Sequence, residues 1–318
     1  MTINGEKAAA LSSAVLVFFY TYFLGALYVG GDQEHYRSVY EVSGSSGFFD
    51  SYLYYRGRIQ SDEIGHFLIT WFASQIFEKD LFNAFANSIL AFFSVRLLSK
   101  WGAHTLLALA ISVFGYYHLA MYVSAERLKY ASTFFVIGAF YFQRNRLTYL
   151  AFLISIITHL QYLVMIAAVF SGRFSAIFLD AYKFLKVRKS DIAIIMLLLL
   201  FLILIPIVFY DHIVYKIKAY YQVFGLTEYF RISLFFFGAL FYSKEWVKVL
   251  ATFSVLFLMV GLVGGDRVNL FGYFLFLFFA LQVRKGFNFG VIATFIYYFV
   301  GWIEYVSWVV DCGINRPC

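Results

Sequence analysis

Long apolar stretches recur along this chain, most of them close to the roughly 20 residues that a helix needs to cross a bilayer. They fall at 8–29, 81–98, 104–123, 131–142, 192–209, 231–243, 247–263, 268–283 and 290–310. Several are short for a crossing and must tilt or extend at their ends. Two further apolar stretches are ambiguous. Residues 147–170 are long enough for one span, or for two short helices meeting near His159; residues 64–77 are short enough to be a half-helix. Of 318 residues, 62% are hydrophobic and 14% charged, whereas a soluble domain carries about 25% charge. Forty-one phenylalanines against two prolines exclude a disordered or linker-rich chain. The expected fold is all-α, a polytopic membrane protein of about 10–11 transmembrane or half-membrane helices, in a single domain over 1–318. The polar start "MTINGEK" runs straight into the first apolar stretch with no small-residue cleavage site, which reads as a retained signal-anchor. The two cysteines, Cys312 and Cys318, give no metal pattern, and would form a short disulfide loop if the tail faces an oxidising side.

The positive-inside rule orders these stretches. The basic segment 171–191 (Arg173, Lys183, Lys186, Arg188, Lys189), "QRNR" at 143–146 and "RK" at 284–285 should all be cytoplasmic. All three can be inside only if 147–170 crosses twice or not at all, which favours a pair of short helices with His159 at the outer turn. Loops 30–62 and 210–230, the "SAERLKY" hinge at 124–130, "GGDR" at 264–267 and the cysteine tail then fall outside. With the N-terminus inside, 64–77 cannot be a full crossing and reads as a short helix dipping into the outer leaflet. Any chemistry is therefore expected on the outer side.

That face carries the informative charges. In "GGDQEHYRSVY", Asp32, Tyr36 and Tyr40 are four apart, and a helix would align them. A carboxylate above tyrosines suits a sugar; a solvated loop with interfacial tyrosines is the plainer reading. In "RGRIQSDEIGH", Asp62 and Glu63 precede an apolar run, where they either cap a helix or supply acid/base chemistry. In "SAERLKY", Glu126 either pairs with Arg127 or Lys129 while the group snorkels, or the cations recognise an anion through the guanidinium fork. Arg267 in "GGDRVNLFGY", Arg231, Lys216 and Lys218 add outward positive charge, which calls for a membrane-bound anion, most simply a diphosphate. His159, in "IITHLQY", is either a packing histidine or a functional intramembrane group. The other histidines His35, His66, His118 and His212 show no metal-ligand spacing, and no phosphate loop, nucleophile elbow or dinucleotide motif occurs. The +7 charge is spread over membrane loops, which argues against nucleic acid.

Taken in order, G-x-D-x-x-x-Y-x-x-x-Y (Gly30, Asp32, Tyr36, Tyr40), a carboxylate before a short helix (Glu63), Arg127 ahead of "ASTFFVIGAFYFQRNR", His159 in "FLISIITHLQYLVM", and Arg267 with Tyr273 in "DRVNLFGY" resemble the EpsG family of bacterial polysaccharide polymerases, relatives of the Wzy O-antigen polymerases. The resemblance covers about residues 20–280. It departs at "DEIGH", where the family often has Glu-Pro, so that either Asp62 or Glu63 is the equivalent carboxylate. The resemblance implies a glycosyltransferase-C-like enzyme of the bacterial inner membrane, active on its periplasmic or outer face. It would transfer a growing glycan from undecaprenyl diphosphate to another lipid-linked repeat unit, without metal or cofactor. Asp32, Glu63 or His159 would take the acceptor proton. Arg127, Lys129, Arg231 and Arg267 would hold the diphosphate, and Tyr36, Tyr40 and Tyr273 the sugar. Expected partners are undecaprenyl diphosphate-linked oligosaccharide and membrane lipids, with a chain-length regulator protein as a further candidate. The rival readings are a flippase for the same lipid-linked unit and a multispan acyltransferase built on His35 and Asp32. The absence of an internal repeat and the unmatched Pro206 weigh against a transporter.

Overall fold

A computed structural model describes residues 3–142, 147–182, 210, 214, 226–263 and 265–313. The described residues are helical, with no strand among them. Three helices are long and apolar enough to cross a membrane: Gly5–Leu27, Lys79–Lys100 and Arg284–Cys312. The pair Thr105–Phe114 and Tyr116–Val123 makes a fourth if it counts as one bent span. The 192–209 stretch, "QRNR", the basic segment beyond Tyr182, Lys216, Lys218, His212, Pro206, Gly264 and the tail from residue 314 lie outside the described residues.

The helices group into two compact units, residues 1–162 with 284–318, and residues 163–283. The first unit contains α1 (Ile3–Leu27), α2 (Asp32–Ser45), α3 (Phe48–Ile59), α4 (Ile64–Ser74), α5 (Lys79–Lys100), α6 (Thr105–Phe114), α7 (Tyr116–Val123), α8 (Glu126–Tyr141) and α9 (Leu147–Thr158). Helix α10 (Tyr162–Tyr182) starts at its last residue. The long helix α1 lies along α5 and α6, while α8 is sandwiched between α5 and α9. Short polar contacts pin the apolar faces in register: Ser88 donates to the Ala14 carbonyl at 3.0 Å, and Arg96 pairs with Glu6 at 2.6 Å.

Three expectations change. Residues 30–62, expected as a long loop, fold into α2 and α3. The α2 face made by Gln33, Tyr36, Val39, Tyr40 and Ser43 is buried. Val39 packs with Tyr55 of α3 and Phe67 of α4 in one apolar core, so one-sided aromatic burial overrides the polar composition. The "SAERLKY" stretch is not an extended hinge. Only Ser124 and Ala125 interrupt the helices, and Glu126 opens α8, where a carboxylate suits the exposed N–H groups of a first turn. The apolar run 104–123 is not one helix, because α6 and α7 meet at a 48° bend at Gly115. A Cβ there would lie 2.4 Å from the Ile111 carbonyl oxygen, so only glycine lets the chain turn this closely. By contrast, 147–170 does divide into two helices at His159, and 64–77 does form a short helix of 11 residues.

The last helix of the first unit, α14 (Phe289–Cys312), packs on α7, α6 and α1. The second unit holds the rest of α10 with α11 (Leu226–Tyr242), α12 (Trp246–Val263) and α13 (Gly265–Ala280). Helix α11 lies against both α12 and α13. Close approach is set by Gly272, whose Cβ would meet Ile232 Cδ1 at 2.3 Å. The Asn269 amide N–H donates to Glu228 at 2.5 Å inside this packing.

Candidate functional site

The site is built around Glu63, at the break between α3 and α4. The α3 helix ends at Gln60 in the left-handed conformation (φ 52°), which turns the chain sharply before α4 begins. Glu63 occupies the position before Ile64, yet its side chain makes no capping bond to its own helix. Its carboxylate instead gathers donors from distant segments. His159 Nδ1 lies 2.6 Å from Oε1, and the Leu160 backbone N–H donates to the same oxygen at 3.1 Å. Arg127 Nη1 donates to Oε2 at 2.8 Å. Arg127 Nε donates to the Tyr36 hydroxyl at 3.1 Å. His159 Nε2 lies 3.1 Å from Gln161 Oε1. Thus α2, the α3–α4 joint, α8 and the α9–α10 joint converge on one carboxylate, bringing together residues 64 and 96 positions apart in sequence.

The break between α9 and α10 makes this possible. His159 N–H still closes the last turn of α9, on Ser155 O at 3.0 Å, whereas the Leu160 N–H leaves the helical ladder for Glu63. Gly65 brings α4 onto the same place. A Cβ at Gly65 would lie 2.8 Å from the Thr158 backbone, one residue before His159. Gly65→Ala should therefore lower stability by about 1–3 kcal/mol through overpacking against backbone. Thermal unfolding of the detergent-solubilised protein checks this; an unchanged midpoint would show that α4 and α9 are not in this close contact.

The site is shielded: Glu63, His159 and Tyr36 are buried, and the Arg127 side chain is 13% exposed. Burial alone would raise the Glu63 pKa. The His159 ring, the Arg127 guanidinium and the Leu160 amide outweigh it and hold the carboxyl well below its ordinary range. Burial raises the Tyr36 phenol, with Arg127 acting in the opposite direction, so Tyr36 remains a neutral hydroxyl. Arg127 Nη2 donates to no protein atom among the described residues. The guanidinium is thus fixed by two bonds, through Nε and Nη1.

Of the residues expected from sequence, Glu63, Arg127, His159 and Tyr36 stand together. Asp62 does not join them; it faces outward and pairs with Arg56 at 2.5 Å. Glu63 is therefore the carboxylate of this group. Asp32 is exposed at the start of α2 and makes no hydrogen bond or ion pair among the described residues. Tyr40 is buried, its hydroxyl donating to the Phe77 carbonyl at 2.9 Å. Lys129 is fully buried and donates to Asn83 at 2.7 Å, facing away from Arg127. Three residues belong to the second unit. Arg231 lies 3.7 Å from Glu228, Arg267 is half-buried in the first turn of α13, and Tyr273 is buried against Phe235.

Sequence reasoning missed a second polar group. Glu126 pairs with Lys79 of α5, not with its neighbours Arg127 and Lys129. Lys79 also donates to Gln33 Oε1 at 2.8 Å, and Asn83 to Glu126 at 3.1 Å. The signal was available: "EKDLFN" places Lys79 and Asn83 one turn apart at the mouth of an apolar helix. His66, buried, sits between the two groups, with Nδ1 3.2 Å from the Tyr55 hydroxyl and its ring against Tyr36 and Tyr130. No family model, curated protein or solved structure matches the chain.

Proposed function

We propose that this protein is a bacterial inner-membrane glycosyltransferase that polymerises polysaccharide. It moves a growing glycan from undecaprenyl diphosphate to the non-reducing end of another lipid-linked repeat unit on the periplasmic or outer face. The single observation that carries the reading is Glu63 held between the Arg127 guanidinium and the His159 imidazole. It couples an anion-binding fork to a candidate base inside one shielded cluster of side chains.

In this reading, Glu63 holds the Nδ1–H of His159, leaving Nε2 as the proton acceptor; the acceptor hydroxyl takes the place of Gln161 there. The hydroxyl oxygen attacks the anomeric carbon as its proton passes to Nε2. The bond from that carbon to the diphosphate oxygen breaks, and the lipid diphosphate leaves with the electron pair. Arg127, with its free Nη2 arm, offsets the charge that grows on the departing diphosphate. Tyr36 fixes the guanidinium from its Nε side. The reaction needs no electron donor or acceptor beyond the two lipid-linked substrates.

Purified protein in liposomes, given a lipid-linked repeat unit, should produce a ladder of longer glycans. Translocation without chain growth would replace this reading by a flippase, and acyl transfer by an acyltransferase. Tyr36→Phe removes one hydrogen bond to Arg127, worth about 1 kcal/mol, and should slow chain growth roughly fivefold. An initial rate equal to wild type would remove Tyr36 from the positioning of Arg127.

A further inference from the structure

Arg127 is followed and preceded by residues that point elsewhere. Glu126, next to it in the first turn of α8, enters the buried group formed by Lys79, Gln33 and Asn83. Glu126 and Lys79 are 4% and 7% exposed, so neither charge is solvated. The same helices meet on both sides of this turn. On α2, Gln33 contacts Lys79, and Tyr36, one turn on, contacts Arg127. Gln33 also donates to the Val123 carbonyl at 2.9 Å, at the end of α7, so the two-residue link into α8 is held from α2 as well. Asn83 binds Glu126 through its amide, and receives Lys129 and the Tyr130 hydroxyl on its carbonyl, at 2.7 and 2.6 Å. The first turn of α8 is therefore fastened from α5 and, through Gln33, from α2, and Arg127 is left as the residue that leaves the fastened group for Glu63.

We infer that the Lys79–Glu126 pair is a positioning device for Arg127. It sets the angle of the first turn of α8 so that the guanidinium reaches Glu63 and presents Nη2 to the diphosphate. The inference rests on the polymerase reading above. Neither Lys79 nor Glu126 touches the substrate; each acts through Arg127. A buried pair of this kind, replaced as a unit by neutral groups of similar shape, need not cost stability. Stability and positioning can therefore be separated by experiment.

The test combines Lys79→Met/Glu126→Gln with Arg127→Lys in liposomes supplied with lipid-linked repeat unit. Protein whose unfolding midpoint in detergent matches wild type is compared by turnover per folded molecule. The neutral pair and Arg127→Lys should each slow chain growth by about tenfold. If the pair acts through Arg127, the triple variant should also be about tenfold slow, because the two losses are one loss. A pair variant with wild-type turnover, or a triple variant about a hundredfold slow as independent losses would give, overturns the inference. Should the pair variant fail to accumulate, Gln33→Met, which keeps both charges, replaces it in the same cycle, and the same two results overturn the inference. Wild-type protein that makes no polymer sinks the polymerase reading itself, and this inference with it; wild-type polymer with an undiminished pair variant sinks the inference alone.

Discussion

Glu63→Gln should abolish chain growth almost completely and lower the unfolding midpoint as well. The carboxylate receives His159, Leu160 N–H and Arg127. An amide offers one acceptor oxygen to these donors and turns its own N–H groups toward the rest. It also leaves the Arg127 guanidinium without its partner in a shielded place. Breaking a buried pair from one side costs about 3–5 kcal/mol, which corresponds to a loss of at least a hundredfold if it falls on the transition state. Chain growth per folded molecule, measured beside thermal unfolding, tests both halves. Wild-type chain growth in the variant would return Glu63 to a structural role. The sign of the pH dependence follows from the same contacts. Glu63 titrates below its ordinary value of 4.5 in the folded protein. Its contribution is therefore complete above about pH 4.5 and is lost as pH falls through the lowered folded value. Unfolding midpoints taken between pH 3 and 7 should show this fall in wild type and a flatter profile in Glu63→Gln.

Arg127 is expected to show the second large effect, with a dependence on geometry beyond charge. Arg127→Ala should remove nearly all chain growth. Arg127→Lys should lose about 1.5 kcal/mol, roughly one decade in rate, because a lysine cannot hold Tyr36, Glu63 and a diphosphate oxygen with one planar fork. The partner whose removal is informative is Glu63, not Glu126. If Arg127 served only to neutralise Glu63, the double variant Glu63→Gln/Arg127→Gln should regain stability and be no slower than Glu63→Gln alone. That result would exclude the diphosphate role; regained stability with residual chain growth below that of Glu63→Gln would support it.

Hydropathy was sufficient to find α1, α5 and α11 to α14, because an unbroken apolar run of that length has few alternatives. It could not see the bend at Gly115, since composition does not change there; only the distance from a Cβ to the Ile111 carbonyl reveals it. Helices α2 and α3 were hidden by their polar halves, and Tyr36 and Tyr55 are covered by His66 and Phe67 of α4, which arrives from outside. The candidate site was legible as separate residues. Glu63, Arg127, His159 and Tyr36 could each be named, but nothing in spacing says that residues 64 and 96 positions apart share one carboxylate. The partner of Glu126 was misread for a simple reason. Adjacent residues on a helix do not face each other, so Glu126 and Arg127 lead in different directions, to Lys79 and to Glu63.

The gap between α9 and α10 has a consequence for anyone engineering this protein. Residues 159–161 interrupt what composition would accept as one continuous helix, and the interruption releases the Leu160 amide to Glu63. Substitutions there that favour helix continuation would return that amide to the Ile156 carbonyl and take one donor away from the buried Glu63 carboxylate. What the added helical turn contributes to stability the carboxylate would lose. An unchanged melting temperature would therefore not show that the Glu63 cluster is intact, and variants of this segment need an activity readout beside it.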